Sequence, residues 1–170
     1  MISASSDSLI MLWDLNGQGK SLNSYHEHSS EILGLDVCEL NPNFFVSASG
    51  DTTVKLWDIR DKKACIGTYK DSDSSVNCVK FLPGTYCTLA AGSEEGIINL
   101  HDMRAYKTLA RYTPLGESQK SGFGNSINSI SFSKSGLFMF ASSQNSNTIH
   151  YWNLFNPTKP QDHTNVNKYN

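Results

Sequence analysis

Residues 47–58 read SASGDTTVKLWD, and this stretch decides the fold. Val54 and Leu56 alternate with polar neighbours, which is the period of a half-buried strand. The Gly50-Asp51 pair that precedes them is turn chemistry. The stretch therefore predicts a strand, a tight turn and a second strand that ends in a Trp-Asp pair.

The same phrase recurs in both directions along the chain. Its closing pair returns 44 residues earlier as Trp13-Asp14 and 44 residues later as His101-Asp102, and a fourth copy ends at Trp152-Asn153 after a longer spacing. A period of about 40–45 residues in which Trp-Asp closes a strand is the signature of a propeller built from four-stranded blades. We therefore predict an all-β fold, a WD-repeat β-propeller.

The repeat divides the chain into about three complete four-stranded blades plus a partial blade of a seven-bladed ring. The predicted segments are 1–25, the end of a blade; 26–70, a WD blade; 71–112, a WD blade with a degenerate tetrad; 113–125, a loop insertion; 126–153, a partial WD blade; and 154–170, a polar tail expected to be disordered. Because an open ring exposes a blade face and a strand edge, we expect the isolated chain to be unstable, with aggregation or edge pairing.

Composition limits the function classes. The 170 residues are 38% hydrophobic and 18% charged, with a net charge of −2, so no basic excess suggests a nucleic-acid partner. We find no apolar run that could insert into a membrane and no signal-peptide pattern. The four cysteines form no Cys-x-x-Cys pair, and Cys38 and Cys78 fall in apolar strand patterns, so we expect free thiols in a reducing, intracellular compartment.

Four residues of the 26–70 blade predict a buried hydrogen-bonded tetrad: His28, Ser47, Asp51 and Trp57. The carboxylate can accept from the imidazole, the imidazole from the hydroxyl, and the indole N–H can anchor the end. A satisfied network of this kind makes a blade rigid. We interpret the tetrad as structural and do not read His28 beside Asp51 as a catalytic dyad.

Two weaker motifs do not support a chemical site. Residues 19–21 (Gly-Lys-Ser) echo a phosphate-binding loop, but Asp14 stands where that loop requires glycine, and no helix is predicted to follow. His26 and His28 have no third ligand at a suitable spacing. We predict no enzyme activity and no catalytic, cofactor or metal site.

The 71–112 blade keeps the strand pattern but changes the tetrad. Ser72 takes the place of the histidine, and His101 takes the place of the tryptophan. Ile97, Ile98 and Leu100 still supply apolar packing. We expect this blade to form with a weaker internal network.

Three stretches resemble the beta subunit of heterotrimeric G proteins. They are residues 127–136 (INSISFSKSG), residues 45–60 around KLWDIR, and residues 100–104 (LHDMR). The resemblance covers roughly residues 1–153 and is nearest to divergent fungal members that act in mating-pheromone signalling. It implies a non-enzymatic scaffold that binds the GDP-bound alpha subunit and, when released, effectors, at the inner face of the plasma membrane through its partners.

The resemblance also implies where the alpha subunit and effectors bind. The positions that match the family's top face are Glu31, Leu33, Ser75, Asn77 and Glu94. Family members commonly have an acid where Ser75 stands and a methionine where Leu33 stands. The gamma subunit is the other implied partner, but the helix with which the family grips it has no counterpart in this sequence.

The alternative interpretation is a generic WD-repeat adaptor in a multiprotein complex, of the ubiquitin-ligase or trafficking type. Selective capture of the GDP-bound alpha subunit separates the two, because a generic adaptor has no reason to read the nucleotide state.

Overall fold

A computed structural model describes residues 1–16, 19–61, 65–114, 126–144 and 149–155. These ranges contain no helix that is long and apolar enough to cross a membrane. Most of the predicted loop insertion at 113–125 and of the predicted tail at 154–170 lies outside the described residues.

The described residues form fourteen β-strands. In chain order they are β1 (Ile2–Ala4), β2 (Ile10–Asp14), β3 (Lys20–Tyr25), β4 (Ile32–Val37), β5 (Phe44–Ser49), β6 (Thr53–Asp58), β7 (Cys65–Lys70), β8 (Val76–Phe81), β9 (Thr88–Ser93), β10 (Ile98–Asp102), β11 (Lys107–Tyr112), β12 (Ile127–Phe132), β13 (Phe138–Ser143) and β14 (Ile149–Asn153).

The strands assemble into four antiparallel sheets in chain order. We name them blade I (β1–β3), blade II (β4–β7), blade III (β8–β11) and blade IV (β12–β14). Within each blade, a strand pairs only with its neighbours in sequence. The predicted all-β WD propeller architecture is confirmed. In the described residues, two four-stranded blades lie between two three-stranded ones.

The hairpin in residues 47–58 is stabilised by hydrogen bonds between residues of its own turn. Asp51 Oδ1 accepts from the Thr53 backbone N–H at 3.0 Å and from the Thr53 hydroxyl at 2.6 Å. Thr52 adopts a left-handed φ of +70°. The same turn position is Ser8 in blade I, at φ +67°, and Gly96 in blade III, at φ +81°. The turn geometry is therefore shared even where the residue is not the glycine that this conformation favours.

A β-bulge lies near the start of the first strand in blades II, III and IV. The register slips between Ile32 and Gly34, and at the equivalent place in the next two blades. The residues left without a partner are Leu33, Asn77 and Asn128. A bulge of this kind bends the strand and re-aims a side chain. We call this end of the blades, where each first strand begins, the top edge.

Apolar side chains fill the spaces between neighbouring blades. Because strand side chains alternate between faces, Val46 and Ala48 point from blade II towards blade III, whereas Phe45 and Ser47 point towards blade I. The core between blades I and II contains Ile10, Tyr25, Ile32, Phe45 and Trp57. Comparable clusters fill the II–III and III–IV spaces. Each blade thus buries one face against the next, which is the main apolar driving force for the assembly.

Candidate functional site: the polar networks and the top edge

Blade II contains a continuous buried chain of hydrogen bonds. Trp57 Nε1 donates to Ser47 Oγ at 2.8 Å, and Ser47 Oγ lies 2.7 Å from His28 Nε2. His28 Nδ1 lies 2.7 Å from Asp51 Oδ2. Because a carboxylate can only accept, Nδ1 carries the proton and Nε2 accepts from the serine hydroxyl. The structure therefore brings together all four residues of the predicted tetrad.

The charges of the tetrad follow from burial and hydrogen bonding. Burial lowers the pKa of His28 by more than the Asp51 hydrogen bond and charge raise it. For Asp51, burial raises the pKa, but hydrogen bonds from Thr53, His28 and Ser29 outweigh it and leave the pKa below its usual value. The network therefore favours neutral imidazole beside ionised carboxylate. This is the proton distribution of a structural pair at neutral pH.

The tetrad continues directly into the top edge of blade II. Asp51 Oδ2 also accepts from the Ser29 backbone N–H at 3.0 Å. Ser49 Oγ donates to the Glu31 carbonyl at 2.7 Å, and the Gly50 N–H donates to the same carbonyl at 2.9 Å. The segment that leads into the first strand is thus fixed by the turn of residues 49–51. Any ligand of the top edge would meet a pre-ordered backbone here.

Blade III forms its buried hydrogen bonds at the equivalent position with other residues. His101 Nε2 is hydrogen-bonded to Asp71 Oδ1, and His101 Nδ1 lies 3.2 Å from the hydroxyl of Thr108. Asn99 Nδ2 donates to the Asp71 carbonyl at 2.8 Å. Ser72, which aligns with His28, instead donates to the Ser74 carbonyl. Asp71 was therefore not predicted from the sequence. The signal that could have found it is a carboxylate one residue before Ser72, the position that aligns with His28.

Blades I and IV contain fragments of the network. In blade I, Trp13 Nε1 donates to Ser3 Oγ at 2.7 Å, as Trp57 does to Ser47. In blade IV the equivalent of Ser47 is Ala141, which offers no hydroxyl. Trp152 Nε1 is accordingly buried without a hydrogen-bond partner. The presence or absence of this one hydroxyl therefore decides whether the indole N–H is satisfied.

The five predicted top-face residues lie around the starts of β4 and β8. Glu31 and Glu94 are exposed, Leu33 is 42% exposed, and Ser75 and Asn77 are half-buried. The Glu94 N–H donates to the Ser75 carbonyl at 2.9 Å, just as Gly50 does to Glu31. The structure therefore places equivalent pairs at the top edges of two blades in succession.

Two of these residues, Leu33 and Asn77, lie at bulges but make different contacts. Leu33 presents an apolar side chain to solvent. Asn77 Nδ2 instead donates to Ser126 Oγ at 2.6 Å and to the Ile127 carbonyl at 3.3 Å, which ties blade III to blade IV. Asn128, the third bulge residue, is exposed and was missed in the sequence. Its alignment with Leu33 and Asn77, one residue after an isoleucine or valine, was the signal.

Metal-ligating side chains do not cluster in the described ranges. No group of three or more His, Cys, Asp or Glu residues there could hold a metal ion. All four cysteines are free thiols. Burial raises the pKa of Cys78 to about 12, so this thiol is protonated and unreactive at neutral pH.

Comparison with known families agrees with the geometry. The family model described as "WD domain, G-beta repeat" matches residues 19–58, 63–102 and 116–153. The chain belongs to the WD-repeat family. The three matched WD repeats run across the closing Trp-Asp, His-Asp and Trp-Asn pairs, so the period seen in the sequence is the repeat of this family.

Two curated relatives show which WD-repeat proteins the chain is similar to. The chain is 33% identical over 156 residues to "Guanine nucleotide-binding protein subunit beta" of Arabidopsis thaliana, covering 89% of this chain and 40% of that protein. It is 33% identical over 159 residues to "Guanine nucleotide-binding protein subunit beta-5b" of Danio rerio, covering 94% of this chain and 38% of that protein. The chain is a WD-repeat protein similar to G-protein beta subunits, and it spans about two fifths of the length of these relatives.

Proposed function

We propose that this chain is a G-protein beta-subunit-like signalling scaffold whose top edge binds the GDP-bound alpha subunit and, after release, downstream effectors. One observation carries the proposal: the positions expected for alpha-subunit contact recur at equivalent bulges of successive blades. Glu31 precedes the bulge residue Leu33 in blade II, and Ser75 precedes Asn77 in blade III. The named beta-subunit relatives support the same assignment.

The chemistry of the top edge suits a partner with an apolar anchor and a basic rim. Leu33 is an exposed apolar side chain two residues after the exposed carboxylate of Glu31, and Glu94 adds a second exposed carboxylate in blade III. Apolar contact supplies affinity at the centre of an interface. Carboxylates around it select a complementary charge and speed association. Ser75, where the family commonly has an acid, removes one such charge.

The blade II network would lower the cost of binding. The Glu31 carbonyl is held by both Ser49 Oγ and the Gly50 N–H, so the backbone before Leu33 is already ordered. A surface that is ordered before binding loses less conformational entropy on association. We therefore assign the larger share of the affinity to blade II.

We also propose binding rather than catalysis. In the described residues, the buried histidines are His28 and His101, which are 4% and 2% exposed. Both ring nitrogens of each contact protein groups. Neither imidazole is therefore free to act as a general base on a bound substrate.

The test is capture of an alpha subunit in two nucleotide states. We expect the chain to bind alpha subunit loaded with GDP and not alpha subunit loaded with a non-hydrolysable GTP analogue. Leu33→Arg should weaken binding about tenfold or more, because a buried charge replaces an apolar anchor. Leu40→Arg is the matched control, since Leu40 is a 58% exposed leucine beyond the opposite end of β4.

Two outcomes would contradict the proposal. Binding that ignores the nucleotide would favour the generic WD-repeat adaptor. An equal loss for Leu33→Arg and Leu40→Arg would place the contact away from the top edge.

Three further expectations depend on the same likeness. We propose the gamma subunit as a second partner and the inner face of the plasma membrane, reached through partners, as the site of action. A role in the pheromone response remains a prediction. Co-expression with gamma subunit, followed by affinity capture, tests the second partner independently of the alpha subunit.

A further inference from the structure

His28 lies in the segment that leads into the top edge of blade II. Residues 26–31 connect β3 to β4, and the exposed Glu31 comes three residues after the buried ring of His28. The ring and the proposed contact residue therefore share one short stretch of backbone. If the ring leaves the interior of the blade, this stretch has to move with it.

The surroundings of the His28 ring suit a neutral imidazole and disfavour a second ring proton. Nδ1 donates to Asp51 Oδ2 and Nε2 accepts from Ser47 Oγ, each at 2.7 Å. Ser47 Oγ also accepts from Trp57 Nε1 at 2.8 Å, and in the described residues it has no further hydrogen-bond partner. A proton on Nε2 would make this nitrogen a donor, and the Ser47 hydroxyl would then need a new acceptor for its own proton. Ser47 is 0% exposed, so bulk water does not provide one.

The charged groups that affect the protonation of this ring, in the described part of the chain, are Asp51 in the turn, Lys55 on β6 and Glu27 beside it. Burial lowers the pKa of His28, Asp51 raises it, Lys55 lowers it and Glu27 raises it, and the balance lies below the ordinary 6.5. A ring released into water returns to the ordinary value, so the released form binds a proton more tightly than the ordered form. Acid therefore favours release. Asp51, with a pKa below 3.8, stays ionised while His28 titrates.

We propose that His28 is a positioning residue that makes the top edge of blade II sensitive to pH. A proton on its ring releases residues 26–31 from the blade, and the released chain binds a top-edge partner more weakly. The effect on binding rests on the proposed function, whereas the release itself is a property of the free chain.

Release removes the hydrogen bonds that order the edge. The Ser29 N–H donates to Asp51 Oδ2 at 3.0 Å, beside the bond from His28 to the same oxygen. The Glu31 carbonyl is held two residues further on, by the turn of residues 49–51. A partner that recognises the ordered backbone then meets a smaller fraction of competent chains, and its apparent affinity falls by that fraction.

Hydrogen exchange of the free chain measures the release directly, once the rates are corrected for the intrinsic effect of pH on exchange. For a released ring with a pKa of about 6.5 and an ordered ring that stays neutral, lowering the pH from 7.5 to 5.5 favours release by about tenfold. We therefore expect the protection of the Ser29 and Gly50 amides to fall by up to about tenfold over this range.

Two histidine variants separate this device from other effects of acid. His28→Asn has no titrating side chain at this position, so the change in protection with pH should disappear. His26→Asn is the matched control, because His26 is an exposed histidine of the same segment, and it should keep the full change. If His28→Asn does not fold, as judged by circular dichroism, the unmodified chain and His26→Asn still decide the outcome.

The dissociation constant for GDP-loaded alpha subunit, measured at pH 7.5 and 5.5, tests the effect on binding. We expect the constant to rise on acidification by a larger factor for the unmodified chain than for His28→Asn, by up to about tenfold. Groups on the alpha subunit titrate alike in both measurements, so they cancel from the comparison.

Several results would overturn the proposal. Release is wrong if the protection of Ser29 and Gly50 does not change with pH, or if His26→Asn abolishes the change as fully as His28→Asn does. The effect on binding is wrong if protection changes but the dissociation constant rises equally in the unmodified chain and in His28→Asn. No capture of alpha subunit at pH 7.5 would instead contradict the proposed function, and a pH-dependent protection would still support the release.

Discussion

Blades II and III have the same strand order and the same bulge, but they satisfy their buried polar groups differently. In blade II, Trp57, Ser47 and His28 form a line that ends on Asp51 in the hairpin turn. In blade III, His101 replaces the tryptophan and turns to Asp71, which lies before the first strand. The blade fold thus requires that the buried donors be satisfied, and more than one set of residues can do so.

The difference also decides where each network leads. The blade II network ends at the turn that holds the Glu31 carbonyl, so it supports the top edge. The blade III network connects His101 with Thr108 on the outer strand, so it points to the outside of the blade. We therefore expect changes in the blade II network to disturb the proposed binding edge, and changes in the blade III network to disturb it less.

The largest effect is expected from Ser47→Ala. The Ser47 hydroxyl accepts from Trp57 and is bonded to His28, and its loss leaves two buried nitrogens without partners. Each such group costs about 1–3 kcal/mol, so the free energy of unfolding should fall by about 2–6 kcal/mol. Urea unfolding followed by tryptophan fluorescence measures it. Ser21→Ala, on an exposed site of β3, is the control, and a loss no larger than that of the control would refute the role of Ser47.

The next largest effect compares the two aspartates. Each carboxylate oxygen of Asp51 accepts hydrogen bonds from two N–H or O–H groups. In Asp51→Asn, the NH2 group replaces one of these oxygens and would face donors with which it cannot form a hydrogen bond. We expect a loss of about 1.5–3 kcal/mol. At Asp71 only Oδ1 is bonded, and Oδ2 is buried without a partner. Asp71→Asn should therefore cost about 1 kcal/mol or less. Equal losses in urea unfolding would contradict the difference between the networks.

The pH dependence should come from blade II. Because the pKa of His28 is lower in the folded chain than its ordinary value of 6.5, the unfolded chain binds more protons just below that pH. Stability should therefore fall as the pH drops below about 6.5 and level off below the folded pKa. Asp51, whose folded pKa is also lowered, adds a further loss as the pH falls past 3.8. Thermal unfolding from pH 7.5 to 5 should show a weaker slope in His28→Asn, and an unchanged slope would refute the assignment.

The smallest effect is a gain in blade IV. Ala141→Ser restores the hydroxyl that Trp57 finds in blade II and gives the buried Trp152 Nε1 an acceptor. A hydrogen bond of this kind contributes about 0.5–1.5 kcal/mol, so the urea midpoint should rise. Ala91→Ser in blade III is the comparison, because His101 there already has its partners. A greater gain for Ala91→Ser would contradict this account of the networks.

The sequence predicted the propeller and the blade II tetrad because both depend on residue types at fixed spacing. The period of 44 residues marks each hairpin, and His28, Ser47, Asp51 and Trp57 have complementary donors and acceptors. The partner of His101 could not be found from spacing, since it moved by one residue from Ser72 to Asp71. The bulge at Asn128 was also missed. The bulge places Ile127 and Ile130, which are three residues apart, in the same buried cluster, and the two-residue alternation used to predict strands does not allow for this spacing.

The most direct test of the central claim is hydrogen exchange of the chain with and without GDP-loaded alpha subunit. The claim is that the top edge of blade II, held by its tetrad, is the main binding surface. We predict added protection for the segment that carries Glu31 and Leu33 and for the turn at Gly50, less at Glu94, and none around Leu40 at the opposite end of β4. Alpha subunit loaded with a GTP analogue should add none. Protection around Leu40 instead, or equal protection in both nucleotide states, would contradict the claim.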